Sequence, residues 1–253
     1  MPIPRETQQL IEQALTMVRK DPGHHLSPAI RFEIYKSFGN SNHTNNLSSI
    51  KEVRKGEDVF LKLSLADKTL GFLSILTARK VLPIWLDNEA AQFIDNDEEY
   101  SNDPVEMLKI AENVINNTLK PSRAYVDLCS RFYNGLLSLE YTVNEKIYCV
   151  ALAAYSSLEV TLCGIEGLRF SSHKKVNYTD EEVTYGQRDF AAFATRAYIS
   201  IDTGEAGNWR FKNRNSEKYV PLVFDPQKRL EFWEWWLTQA IPQAWELAEG
   251  VLT

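Results

Sequence analysis

The feature that most constrains this chain is the return of apolar residues every three or four positions, in one segment after another, with caps and prolines between the segments. From Arg5 to Lys20, Leu10, Ile11, Ala14, Leu15 and Val18 share one helical face, and Asp21-Pro22-Gly23 stops the pattern. Ser27-Pro28 supplies a cap and a first-turn proline for a second helix carrying Ile30, Phe32, Ile34, Tyr35 and Phe38, which Gly39 ends. Leu65 to Leu86 is apolar over a wide arc, as in a helix buried on much of its circumference. Asp103-Pro104 opens the next helix, with Val105, Leu108, Ile110, Ala111, Val114, Ile115 and Leu119. Helical spacing resumes at Tyr125, Leu128, Cys129, Phe132, Leu136 and Leu139. A further helix runs from about Asn144 to Leu162 and ends at Gly164, and its Ala151, Ala153 and Ala154 allow a close helix approach. Asp180-Glu181-Glu182 puts acid at the start of a helix that AAFATRAYI continues to about Ile199. Strand alternation is confined to Val59–Leu63 and Tyr219–Phe224, and Asp202 to Val223 reads as a long connection. The expectation is an all-α fold: a single globular helical bundle of about seven or eight helices, one domain over residues 1–253, kinked at Pro83 and Pro242.

The last helix carries four of the six tryptophans, Trp233, Trp235, Trp236 and Trp245. Asp225 caps it and Pro226 fits its first turn, while Leu230, Trp233, Leu237, Ile241, Ala244 and Ala248 trace one stripe. Trp236 and Ala240 widen the stripe, and Phe232 and Trp235 fall further round. Such spacing makes the tryptophans core residues of a terminal helix laid over the bundle, with Trp235 the most exposed.

Composition excludes several functions. A net charge of −6 with pI near 5.4 argues against attraction to nucleic acid or anionic lipid and favours a basic partner. The first twenty residues contain no basic region followed by an apolar stretch, and no later apolar run approaches the roughly 20 residues of a membrane span. The reading is a soluble, cytoplasmic protein. Cys129, Cys149 and Cys163 sit among apolar neighbours and are expected to be buried, reduced thiols. His24, His25, His43 and His173 all lie in polar connections, which leaves no zinc or di-iron helix, and the His24-His25 doublet reads as a solvated loop. There is no glycine-rich phosphate loop and no Gly-x-Ser-x-Gly elbow. No cofactor is expected and no catalytic residue is assigned.

One segment is unusual. Val81 to Leu108 holds Asp87, Glu89, Asp95, Asp97, Glu98, Glu99, Asp103 and Glu106 without a single Lys or Arg beyond the helix that precedes it, so its eight carboxylates exceed the net charge of the whole chain. Capping accounts for Asp103 and Asp87, whereas the others need solvent, a cation or a basic partner. Counted from Asp95, a twelve-residue calcium loop would use Asp97, Glu99 and Glu106 at positions three, five and twelve. Tyr100 stands where that loop needs glycine, and Pro104 interrupts it. Asp95, Asp97, Glu98, Glu99 and Asp103, with Tyr100 as an aromatic anchor among them, are therefore read as a partner-binding surface rather than a metal site.

RKVLPIWLDNE, the Ala-rich KIYCVALAAYSSLEVTL and the C-terminal DPQKRLEFWEWWLTQAIPQAW together resemble an all-α immunity protein family of bacterial polymorphic toxin systems. The resemblance covers roughly Leu65 to Leu162 and the last helix, and rests on packing residues; the basic stretch 202–218 departs from it. It implies a cytosolic protein that binds a cognate protein toxin tightly and blocks it without doing chemistry. It carries over no binding residues, so the acidic surface, suited to a basic nuclease, is read from this sequence alone. Two alternatives are an all-α enzyme with a carboxylate-bound divalent metal and a helical scaffold without a toxin partner. Metal chemistry needs carboxylates on facing helices, and these cluster in one connection.

Overall fold

A computed structural model describes residues 2–39, 51–55, 58–87, 100–116, 124–139, 143–164, 189–201 and 223–250. The helices are α1 (Arg5–Lys20), α2 (Pro28–Ser37), α3 (Leu65–Leu86), α4 (Pro104–Ile115), α5 (Ala124–Leu139), α6 (Glu145–Cys163), α7 (Phe190–Ile199), α8 (Pro226–Trp235) and α9 (Ile241–Gly250). A π turn, Trp236–Ala240, joins α8 to α9 in one continuous run. The fold is all-α: the described helices share one hydrophobic core and form a bundle of eight, counting the α8–α9 run once. A small antiparallel hairpin, β1 (Lys51–Lys55) and β2 (Asp58–Lys62), pairs Val53 with Phe60 and accompanies the bundle before α3. Its second strand covers most of the alternation at Val59–Leu63. Of the other alternating stretch, Tyr219–Phe224, Val223 and Phe224 are described: an antiparallel bridge forms between Ser200 and Phe224, with the Ile201 amide donating to the Val223 carbonyl at 2.9 Å.

The helix ends follow local chemistry. Ser27 accepts from the Ile30 amide, Asp103 from Val105, Asn144 from Ile147 and Asp225 from Gln227 and Lys228, each satisfying an amide that the first turn leaves open. α3 begins with a reciprocal box: the Asp67 amide donates to Ser64 Oγ at 3.1 Å, and the Ser64 amide donates to Asp67 Oδ2 at 3.1 Å. α6 ends at Gly164 with φ of 62°, a left-handed conformation that a side chain would strain.

The structure refines three local expectations. Pro83 does not break α3; it lies exposed in the last turn, and the Asp87 amide still reaches the Pro83 carbonyl at 2.8 Å. A proline this close to a helix end removes one hydrogen bond whose acceptor water can satisfy. α7 starts at Phe190 rather than near Asp180, because Asp189 takes both the Ala191 and Ala192 amides at 3.0 and 3.4 Å; Asp180, Glu181 and Glu182 lie outside the described residues. The irregularity upstream of Pro242 takes the form of a π turn, in which the Ile241 amide reaches the Trp236 carbonyl. The wider turn gives the proline ring room while the helix stays continuous.

α3 and α6 form the centre. α3 packs against α4, α6, α7 and α9, and α6 against α3, α4, α5 and α7. Both are long and apolar enough to cross a membrane, contrary to the expectation from apolar runs, and both are largely buried among the other helices. Small residues meet where the two helices touch. Ser157 Oγ donates to the Ser74 carbonyl across the interface at 2.8 Å, and to its own helix at Ala153 at 2.8 Å. A Cβ at Gly71 would lie 2.8 Å from Ile115 Cδ1, so glycine lets α4 come close. Four buried threonine hydroxyls bond back to their own helix: Thr69 to Leu65, Thr77 to Leu73, Thr161 to Ser157 and Thr195 to Ala191, at 2.6–2.8 Å.

The C-terminal run closes this core. Trp233 and Trp236 are fully buried and Trp245 nearly so, while Trp235 is the least buried of the four, under the Lys80 ammonium at 4.9 Å. Trp236 Nε1 donates to Thr77 Oγ1 at 3.0 Å, which satisfies its one polar atom. Phe232, expected on the flank, is fully buried because Tyr198 of α7 packs on that side, with ring centroids 5.6 Å apart.

Beneath the tryptophans, Arg31 and Asp189 form a buried ion pair. Arg31 Nε and Nη2 both reach Asp189 Oδ2 at 2.7 Å, Arg31 Nη1 donates to the Leu26 carbonyl, and the guanidinium lies 5.3 Å from the Trp233 ring centroid. Asp189 Oδ1 takes the α7 amides and the Tyr35 hydroxyl at 3.3 Å. One carboxylate thus caps α7 and fixes α2 beside it. Removing one partner of a buried pair strands the other charge, so Asp189→Asn, which keeps the capping oxygen, is expected to cost about 3–5 kcal/mol in urea denaturation. Combining it with Arg31→Met should recover part of the loss, and an unchanged midpoint in Asp189→Asn would contradict this account.

Candidate functional site

The acidic connection re-enters the described structure at Tyr100 and is clamped there onto α5. Ser101 and Asn102 are buried, although both are polar, because their backbone lies against the one helical glycine of α5. A Cβ at Gly135 would stand 2.0 Å from the Ser101 carbonyl oxygen and 2.9 Å from the Asn102 amide nitrogen. The Ser101 amide donates to the Arg131 carbonyl at 3.3 Å, midway along α5. An isolated glycine inside a helical pattern is the sequence signal for such an approach.

Charge completes the clamp. Arg131 Nη1 reaches Glu106 Oε1 at 3.0 Å, and Ser101 Oγ donates to Glu106 Oε2 at 2.8 Å. Glu106 therefore has its basic partner inside the chain, which removes it from the carboxylates that seek one elsewhere and from the calcium-loop reading. Asp103 caps α4, and its amide donates to Ser101 Oγ at 3.4 Å. Burial raises the Asp103 carboxyl above its ordinary range, against the lowering effect of the Val105 and Glu106 amides. Asp87 sits exposed at the C-terminal end of α3, where it is no N-cap.

Of the predicted partner surface, Tyr100 is half-buried and Asp103 partly exposed at its cap, whereas Asp95, Asp97, Glu98 and Glu99 lie outside the described residues, as does Glu89. The fold brings Tyr100, Asp103 and Glu106 to one corner, where α4 begins beside α5. Residues missed by sequence reasoning are Ser101, Arg131 and Gly135, which anchor the connection.

Two other expectations change. The His24-His25 doublet is no solvated loop: His25 Nδ1 lies 2.7 Å from Asp21 Oδ2, its Nε2 lies 3.1 Å from Arg229 Nη1, and Arg229 also donates to the Gly23 carbonyl at 2.6 Å. His24 has φ of 55° and places Nδ1 2.9 Å from the Val18 carbonyl. The turn between α1 and α2 is thereby latched to α8, and the hydrogen bonds from the His25 side hold the Asp21 carboxyl below its usual range. His43 and His173 lie outside the described residues. Of the thiols, Cys149 is buried and pushed up to about 12 by desolvation, Cys129 is half-buried and Cys163 is exposed at the end of α6; none forms a disulfide. Cys163 is the last residue of α6, where the burying face has run out.

An all-α bundle with caps, latches and a buried ion pair between its helices defines a helical protein whose described features are those of packing. The family model of Immunity protein Imm5 matches residues 11–243. The chain belongs to this immunity protein family, as the helical resemblance implied. No curated protein matches it.

The clamp yields a direct test. Alanine at position 135 gains helix propensity worth about 1 kcal/mol but drives a methyl group into the Ser101 backbone, which cannot swing aside as a side chain would. Gly135→Ala is expected to lose about 1–3 kcal/mol net by chemical denaturation, a cost typical of overpacking. Gly250→Ala, where a Cβ meets nothing within 4 Å, is expected to lose none, and equal behaviour of the two variants would refute the close approach.

Proposed function

We propose that this protein neutralises a cognate bacterial toxin by binding it, without chemistry of its own, in the cytoplasm of the cell that makes both. The carrying observation is membership of the Imm5 immunity protein family over residues 11–243. Families of this kind act by occupying a partner, and the buried groups of this chain serve its own fold: Arg31 and Asp189 neutralise each other, and the Cys149 thiol is far from a reactive pKa.

The finer reading is that the partner is basic, as a nuclease is, and that it meets the acidic connection through Asp95, Asp97, Glu98 and Glu99, with Tyr100 and Asp103 at the edge. The charge pattern supports this, since those carboxylates have no Lys or Arg among them in sequence, and Glu106 at their border already has Arg131. A carboxylate-rich surface competes with phosphate for the same cations and speeds encounter with a basic partner.

Co-expression with the adjacent toxin gene, followed by binding kinetics at two salt concentrations, tests this reading. Replacing Asp95, Asp97, Glu98 and Glu99 with Ser should leave stability within about 0.5 kcal/mol, as for ordinary surface substitutions. The same change should slow association by about tenfold at low salt and flatten its salt dependence, because steering acts on the encounter rate. Tyr100→Ala should mainly speed dissociation. Full protection with unchanged association at both salts would move the partner surface elsewhere.

A further inference from the structure

Three helices meet around the side chain of Lys80. The ammonium of this α3 residue lies 4.9 Å from the centroid of the Trp235 ring on α8 and 5.7 Å from that of Tyr198 on α7, and all three side chains are half-buried. Phe232, fully buried, backs both rings, with its centroid 5.6 Å from Tyr198 and 5.6 Å from Trp235. The lysine is held against rings that themselves rest on the core, so part of the rotamer freedom that a surface lysine loses on contact is already given up in folding.

The neighbouring charges are engaged elsewhere. Arg79, beside Lys80 in the chain, pairs with Glu112 at 2.6 Å, and Glu234, beside Trp235, pairs with Arg19 at 2.7 Å. Glu231 is exposed four residues before Trp235. Burial, and then this carboxylate, raise the Tyr198 phenol above its ordinary range, which keeps the hydroxyl protonated as a donor. Among the described residues no carboxylate pairs with Lys80, and neither the Tyr198 hydroxyl nor Trp235 Nε1 has a hydrogen-bond partner. The cluster therefore holds an ammonium, a phenol and an indole N–H, each able to donate.

Trp and Tyr are the residues on which interfaces concentrate binding energy, and lysine is depleted there, where ordering a long side chain is costly. We infer that Lys80, Tyr198 and Trp235 form a carboxylate-recognition site for the toxin, in which an Asp or Glu of the toxin pairs with the Lys80 ammonium and an apolar side chain beside it covers the two rings. The inference rests on the toxin-binding reading above and is independent of the toxin's overall charge. Charge complementarity selects the occupant: the cluster presents an ammonium without a counter-ion, and a cation, the other guest that two aromatic rings attract, would have to displace Lys80 from both. Loss of one partner from such a pair acts mainly on the lifetime of the complex.

The test uses the full chain and the purified product of the adjacent toxin gene. Lys80→Met keeps an aliphatic stem against the rings and removes the charge; it is expected to raise the dissociation rate about tenfold, equivalent to about 1.4 kcal/mol, with association little changed. Lys80→Arg should keep most of the lifetime, and Lys80→Glu should abolish tight binding by setting like charges together. Arg79→Met, whose charge Glu112 already meets, should dissociate as the wild type does. Thermal unfolding of each variant verifies the fold. A water-soluble carbodiimide, which condenses an amine with a carboxylate in contact with it, should link Lys80 to an Asp or Glu of the toxin in peptide maps of the complex. If the wild-type chain does not bind the toxin, the toxin-binding reading fails and this inference with it. If it binds, and Lys80→Met and Lys80→Glu dissociate at the wild-type rate or Lys80 links only to Glu231, the assignment to this cluster alone is overturned. Slower dissociation of Lys80→Met would mean that the rings receive a cation of the toxin, and the inference is wrong.

Discussion

The close approach of α3 and α6 is the contact on which the other helices are hung. Small residues on both sides, Gly71 and Ser74 on α3, Ala153 and Ser157 on α6, let the two backbones come near enough for a hydroxyl to bond across. Each helix then has most of its circumference left for neighbours, so α4 and α7 pack against both, and α9 and α5 take the remaining sides. Such a pair tolerates little volume change, since a larger side chain at either face would push apart helices that themselves carry the rest. It also suits the buried Ser74, Ser157 and Thr161: each bonds to a carbonyl of its own helix and costs little while remaining small.

Around this pair, polar groups act as fasteners between elements distant in sequence. Asp189 joins α7 to α2, Arg229 and His25 join α8 to the α1–α2 turn, Arg196 pairs with Glu145 between α7 and α6, and Arg131 joins α5 to the start of α4. Burial raises the Glu145 carboxyl in spite of Arg196 beside it in the α6–α7 seam. These fasteners specify which helix lies beside which, whereas the tryptophans of the α8–α9 run supply buried area.

Helix positions were legible in the sequence because caps and apolar periodicity are local. Ser27-Pro28, Asp103-Pro104, Asn144, Gly164 and Asp225-Pro226 all mark ends that the structure places where the sequence does. The candidate site was legible only in its charge. Whether a carboxylate meets solvent or an arginine depends on tertiary neighbours, so the pairing of Glu106 with Arg131, 25 residues later, was invisible, as was the fit of Ser101 onto Gly135. The same limit hid the start of α7, where Asp189 caps the helix and also meets Arg31 from 158 residues away. Phe232 was misplaced for the related reason that helical stripes count one neighbour, while this helix has α7 on its flank as well.

Membership of the Imm5 immunity protein family is what leads to the proposal that this chain holds a partner rather than turning over a substrate. The most direct measurement of that claim is a titration of the adjacent toxin's activity with the purified chain, followed by mass spectrometry of the toxin recovered from the mixture. Inhibition by occupancy reaches completion at a fixed stoichiometry, and the toxin is recovered at its unmodified mass, active once separated. Protection by far less than stoichiometric amounts of the chain, with a toxin permanently altered in mass, would contradict it.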